Sequence, residues 1–90
     1  MSLKKLKLDL RKYSDKKRAK ILQRFFKTGP GEYAEGDIFL GITVPILRTL
    51  AKRYQGLAFN ETLQLLKSLI HEERLLSLLI LIMRFETAHF

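Results

Sequence analysis

The chain has 90 residues, no cysteine, no tryptophan, 47% apolar residues and a formal net charge of +8. This length allows one small domain, and the apolar content argues against disorder. The missing cysteine excludes a disulfide framework and thiolate chemistry. Charge is unevenly placed: residues 1–27 hold eleven Lys or Arg against two Asp, and residues 28–90 hold six against seven Asp or Glu. A positive field confined to the front suits a polyanion such as nucleic acid or an anionic membrane surface. A solvated lysine-rich face is the bland alternative. Lysines interrupt the first apolar residues, so no signal peptide is read. The most apolar run, Leu75 to Met83, is too short to span a bilayer. The expectation is a soluble, cytoplasmic, all-α protein of five helices.

Leu3, Leu6, Leu10 and Tyr13 recur at helical spacing and predict a short amphipathic first helix. Ser14 is the expected N-cap of the second, with Asp15 at its positive end. Ala19, Ile21, Leu22, Phe25 and Phe26 form its predicted inner face. Lys16, Lys17, Lys20, Arg24 and Lys27 cover the other side, and Arg18 intrudes into the apolar arc. The helix should stop at Thr28-Gly29-Pro30-Gly31, where glycine supplies left-handed geometry, and a second break is expected at Gly36 and Gly41. Thr43 and Pro45 predict the start of a third helix with Leu47, Leu50, Ala51 and Tyr54 inward, ending at Gly56. Asn60 is the expected cap of a fourth helix whose stripe is Leu63, Leu66, Leu69 and Ile70. Ser68 to His71 reads as a tight connection.

Glu72 and Glu73 open a fifth helix at its positive end. Its apolar residues point all round the axis, so packing is expected on every side. The preceding helices can cover about half of it, and Ser77 is the one weak marker of an outer face. The remainder calls for a second copy of the chain or further C-terminal repeats, as at the opening of a longer helical stack ending here in Ala88-His89-Phe90.

Two histidines, His71 and His89, without cysteine argue against a metal site, and His71 reads as a cap or surface residue. No Ser-His-Asp arrangement, G-x-G-x-x-G or P-loop is present. No cofactor is called for. Glu32, Glu35 and Asp37 are expected to cap turns and pair with helix charges.

The stretches FFKTGPGEYAEGDIFLGITVPILRTLAKRY and LLKSLIHEERLLSLLIL resemble the N-terminal part of the AlkD-like DNA alkylation repair family, over roughly Ser14 to Met83. The resemblance implies an α-solenoid of HEAT-like helix pairs with a basic concave face for duplex DNA. It also implies a monofunctional base-excision glycosylase that removes N3- or N7-alkylated purines. Residues 1–90 would form a single helical domain, the N-terminal portion of that fold. Tyr33 carries over as a DNA-side aromatic, with loop packing as its other reading. Pro45, Arg48 and Arg74 carry over as structural residues. In the family, the catalytic aspartate follows a tryptophan downstream of the segment matched here, so no catalytic residue is assigned and the chain alone is expected to be inactive. Lys16, Lys17, Lys20, Arg24 and Lys27 are the expected phosphate contacts. The alternative is a non-catalytic DNA- or protein-interaction module that self-associates through the fifth helix.

Overall fold

The structure is a computed structural model and describes residues 1–32 and 34–88. The fold is all-α. Among the described residues it has helices α1 (Leu3–Arg11), α2 (Lys16–Phe25), α3 (Val44–Arg53), α4 (Phe59–Leu66) and α5 (His71–Ala88). The one extended pairing among them is an isolated parallel bridge between Ile38 and Ile70. No described helix is long and apolar enough to cross a membrane.

The core forms where α3 and α4 pack on α5 and α1 closes over them. Leu6 and Leu10 of α1 share the core with Leu47, Leu50 and Ala51 of α3, Tyr54 at its C-cap, Leu65 of α4, and Leu76 and Ile80 of α5. The inner stripe of α3 is the expected one, because i, i+3, i+4, i+7 spacing aligns those four residues on one face. Thr43 occupies the N-cap position, but its side chain makes no capping bond. Polar ties then fix α1. Leu3 N–H donates to Glu61 Oε2 (3.0 Å), and Asp9 accepts from the Tyr54 hydroxyl (2.5 Å) and from Arg53 (3.3 Å). The Tyr54 hydroxyl, with Lys12 and Arg53, holds the Asp9 carboxyl below its ordinary range. Burial, and then the Asp9 carboxylate, push the Tyr54 phenol up to about 12.

Several boundaries and faces differ from the expected ones. Tyr13 lies beyond α1 and is exposed. Asp15, not Ser14, caps α2 through its carboxylate on Arg18 N–H (3.1 Å), while Ser14 Oγ donates to Arg11 O at the end of α1. Ala58, not Asn60, is the N-cap residue of α4, and α3 ends at Arg53, short of Gly56. The buried stripe of α4 is Thr62 and Leu65, whereas Leu63 and Leu69 are exposed. Hydropathy hides Thr62 because its hydroxyl is satisfied locally by Ala58 O (3.0 Å). Ser77, the expected outward marker, is fully buried and donates to Thr62 O (2.7 Å), which joins α4 to α5. The apolar circumference of α5 is half covered as expected: Leu76 and Ile80 are buried, and Leu78, Ile82 and Phe85 are exposed.

Candidate nucleic-acid interface

The irregular stretch between α2 and α3 carries the basic helix on the core. Glu72, 1% exposed in the first turn of α5, accepts from three consecutive backbone amides: Leu40 (2.9 Å), Gly41 (2.8 Å) and Ile42 (3.3 Å). The Ile38–Ile70 bridge, with Ile38 N–H to Leu69 O (3.2 Å) and His71 N–H to Ile38 O (2.8 Å), fastens the same segment. Arg74 reaches both carboxylate oxygens of Asp37 at 2.9 Å from its Nη2, and its Nη1 donates to Ser68 O (2.8 Å). Charge-assisted bonds of this kind are stronger than neutral ones, and they commit Arg74 to structure, as expected for that residue. Glu32 accepts from Gly29 N–H (3.1 Å), as expected of a turn cap.

Helix α2 sits on this clamped loop. Asp15 N–H donates to Leu40 O (2.8 Å). Gly41 has φ +81, and a Cβ there would lie 2.2 Å from Asp15 O and 2.8 Å from Ala19 N, so only glycine allows the approach. At the far end Phe26 stacks on Phe39 (5.2 Å between centroids), and Phe39 stacks on His71 (4.5 Å). His71 is thus a packing residue of an aromatic stack as well as the first residue of α5.

This seating is narrow. Ala19 and Phe26 face the loop, Leu22 and Gln23 are half-buried, and Ala19 alone in α2 is buried. Ile21 (67% exposed) and Phe25 (76% exposed), expected inside, point to solvent. The reason is the support: the irregular 26–43 segment covers less of α2 than its apolar arc spans.

The outer side holds the cations. Lys16, Lys17, Lys20, Arg24 and Lys27 are all exposed, and none is in an ion pair among the described residues. Lys16, Lys20 and Arg24 follow i, i+4, i+8 and form one stripe, and Lys27 lies just past the end of α2. Lys16, Lys17 and Arg18 occupy the first turn, which holds no acid beyond the Asp15 N-cap. Cations there oppose the helix dipole, and the Asp15 carboxylate offsets them in part.

Lys27 corrects the expected helix stop. It adopts φ 51, the left-handed position that glycine was expected to fill. Thr28 N–H reaches Gln23 O (3.2 Å) and Lys27 N–H reaches Arg24 O (3.2 Å), the two bonds of a Schellman cap. A lysine in this conformation is strained by roughly 1 kcal/mol or more, and strain of this kind gathers at functional positions. Tyr33, the expected DNA-side aromatic, lies outside the described residues, as does His89.

Sequence reasoning found the cations and missed both the clamp beneath them and the exposed Phe25. Glu72 looked like a dipole-compensating acid, and nothing local marks it as the acceptor for a loop thirty residues earlier. Phe25 belongs to an apolar pattern that the narrow support leaves uncovered.

Comparison with curated proteins and with solved structures found no match. A family model described as DNA alkylation repair enzyme matches residues 6–90, which include α2, the clamped loop and α5. The chain belongs to the DNA alkylation repair enzyme family, and this membership supports a role in DNA repair.

Proposed function

We propose that the chain is the DNA-gripping N-terminal portion of an AlkD-like base-excision glycosylase for N3- and N7-alkylated purines, working in the cytoplasm on duplex DNA. In this reading residues 1–90 are one helical domain that opens a HEAT-like stack. The observation that carries it is the set Lys16, Lys20 and Arg24 with Lys17 and Lys27: exposed, and without ion pairs among the described residues. These side chains neutralise phosphates without reading sequence. Tyr33 is carried over from the family resemblance as a DNA-side aromatic. The catalytic centre is not within these ninety residues, since the chain has no tryptophan and the family's tryptophan–aspartate pair has no counterpart in it.

The test pairs binding with chemistry. Duplex DNA should bind by fluorescence anisotropy, while methylated duplex incubated with the chain should release no 3-methyladenine above a buffer control. Release above that control refutes the assignment of an inactive DNA-gripping portion, and absence of duplex binding refutes the DNA reading.

Exposed Leu78 and Ile82 on α5 favour a second reading as well. A further helical repeat or a second copy of the chain packs there, because a helix apolar all round its axis calls for packing on every side. Sedimentation equilibrium distinguishes the two: a mass that rises with concentration indicates a second copy, and a constant 10.5 kDa leaves the repeat.

A further inference from the structure

Helix α1 carries a surface feature that the α2 interface does not use. Leu3, Lys4, Lys7, Leu8 and Arg11 line an open groove of about 340 Å³. Its sides are two i, i+4 ridges of one helix, Leu3–Lys7–Arg11 and Lys4–Leu8. A groove between such ridges is the shape that receives a side-chain ridge of a second helix. Leu8 is 59% exposed although it is apolar. Lys4 and Arg11 are exposed and in no ion pair among the described residues. The Lys7 ammonium lies 3.7 Å from the carboxylate of Glu73, a buried side chain whose two oxygens accept no hydrogen bond among the described residues. Glu73 thereby holds one cation at the middle of the groove while Lys4 and Arg11 stand at its ends.

We propose that this groove docks an acidic amphipathic helix of a partner protein, with the partner's carboxylates on Lys4 and Arg11 and its apolar ridge against Leu3 and Leu8. The charge decides the partner's sign, since complementary potentials steer encounter and like charges are penalised. The same rule disfavours a second copy seated two-fold on this face, which would set Lys4, Lys7 and Arg11 against themselves. The apolar members decide between peptide and nucleic acid. A phosphate backbone returns nothing for burying Leu3 and Leu8, whereas a helix with an apolar stripe uses both.

The probe is a fluorescein-labelled 14-residue helical peptide with leucines on one face flanked by glutamates. A control peptide has each glutamate replaced by lysine. Titrated with the whole chain at low salt, the acidic peptide should saturate and the control should not. Lys4→Glu/Arg11→Glu should weaken binding by about tenfold or more, and Leu8→Ala should weaken it severalfold. Both alter exposed side chains, and circular dichroism checks that each variant is folded. Lys20→Ala/Arg24→Ala should leave peptide binding unchanged while weakening duplex DNA, so this proposal and the DNA reading fail separately. The proposal is overturned by equal binding of both peptides, by no binding, by indifference to Lys4→Glu/Arg11→Glu, or by full displacement of the peptide by duplex DNA.

Discussion

Glu72 and Glu73 are neighbours, both 1% exposed, and the structure predicts opposite responses when each is replaced. Glu72→Ala removes the acceptor of three amides. The amides of Gly41 and Ile42 are buried and would be left without a partner. Each such donor costs about 1–3 kcal/mol, which makes the loss about 2–6 kcal/mol. A chain of this size has about 5–13 kcal/mol of total stability, so a substantial share is at risk. With a urea m-value near 1–1.5 kcal/mol/M, the midpoint should fall by about 1.3 M or more. Glu72→Gln keeps one acceptor oxygen and should lose about half as much. Glu73 offers its carboxylate one ion pair, at 3.7 Å to Lys7, and no hydrogen bond. Lys7 is half-exposed and returns to water when the carboxylate is removed, so an apolar side chain of similar volume at position 73 leaves no uncompensated buried charge behind. Glu73→Met should therefore stay within about 1 kcal/mol of the parent or exceed it. Urea unfolding followed by circular dichroism at 222 nm measures all three. A Glu72→Ala loss below about 1 kcal/mol, or a Glu73→Met loss as large as that of Glu72→Ala, refutes the clamp.

Lys27→Gly should raise stability by about 1 kcal/mol, because it relieves the left-handed strain at φ 51, and should also weaken DNA binding by removing one cation; unfolding and anisotropy on the same sample check both. Tyr54 should ionise near pH 12, about two units above an ordinary tyrosine. Its folded pKa is raised, so its contribution is full below about pH 10 and is lost as pH rises toward 12; phenolate absorbance at 295 nm should show one late component that Tyr54→Phe removes. Asp9 is shifted down, so its contribution is full above the ordinary carboxylate range and is lost as pH falls below it; acid unfolding should begin at higher pH in Tyr54→Phe, whose ring no longer bonds Asp9.

The sequence was legible where one helix face meets one large surface. The α3 stripe of Leu47, Leu50, Ala51 and Tyr54 and the inward Leu6 and Leu10 follow from periodicity because the core spans the whole face. It was not legible where the support is irregular or polar. The width of the apolar arc on α2 says nothing about the width of the loop beneath it, so Ile21 and Phe25 were assigned to the wrong side. Thr62 and Ser77 are buried because each finds a carbonyl, a fact of three-dimensional pairing that composition does not encode. Lys27 takes the conformation expected of glycine although Gly29 follows two residues later. The cation stripe itself was legible as a charge pattern, and its placement on a clamped, narrowly seated helix was not.

The central claim is that the α2 stripe grips duplex DNA through its phosphates. The most direct measurement is the salt dependence of duplex affinity for the parent chain and for Lys16→Ala/Lys20→Ala/Arg24→Ala. With five phosphates neutralised, log K should fall against log salt with a slope of about −4 to −5, at about −0.9 per contact. The triple variant should flatten it by about three contacts' worth, to about −2, with no change in indifference to base sequence. Equal affinity and equal slope for the two proteins would contradict the account.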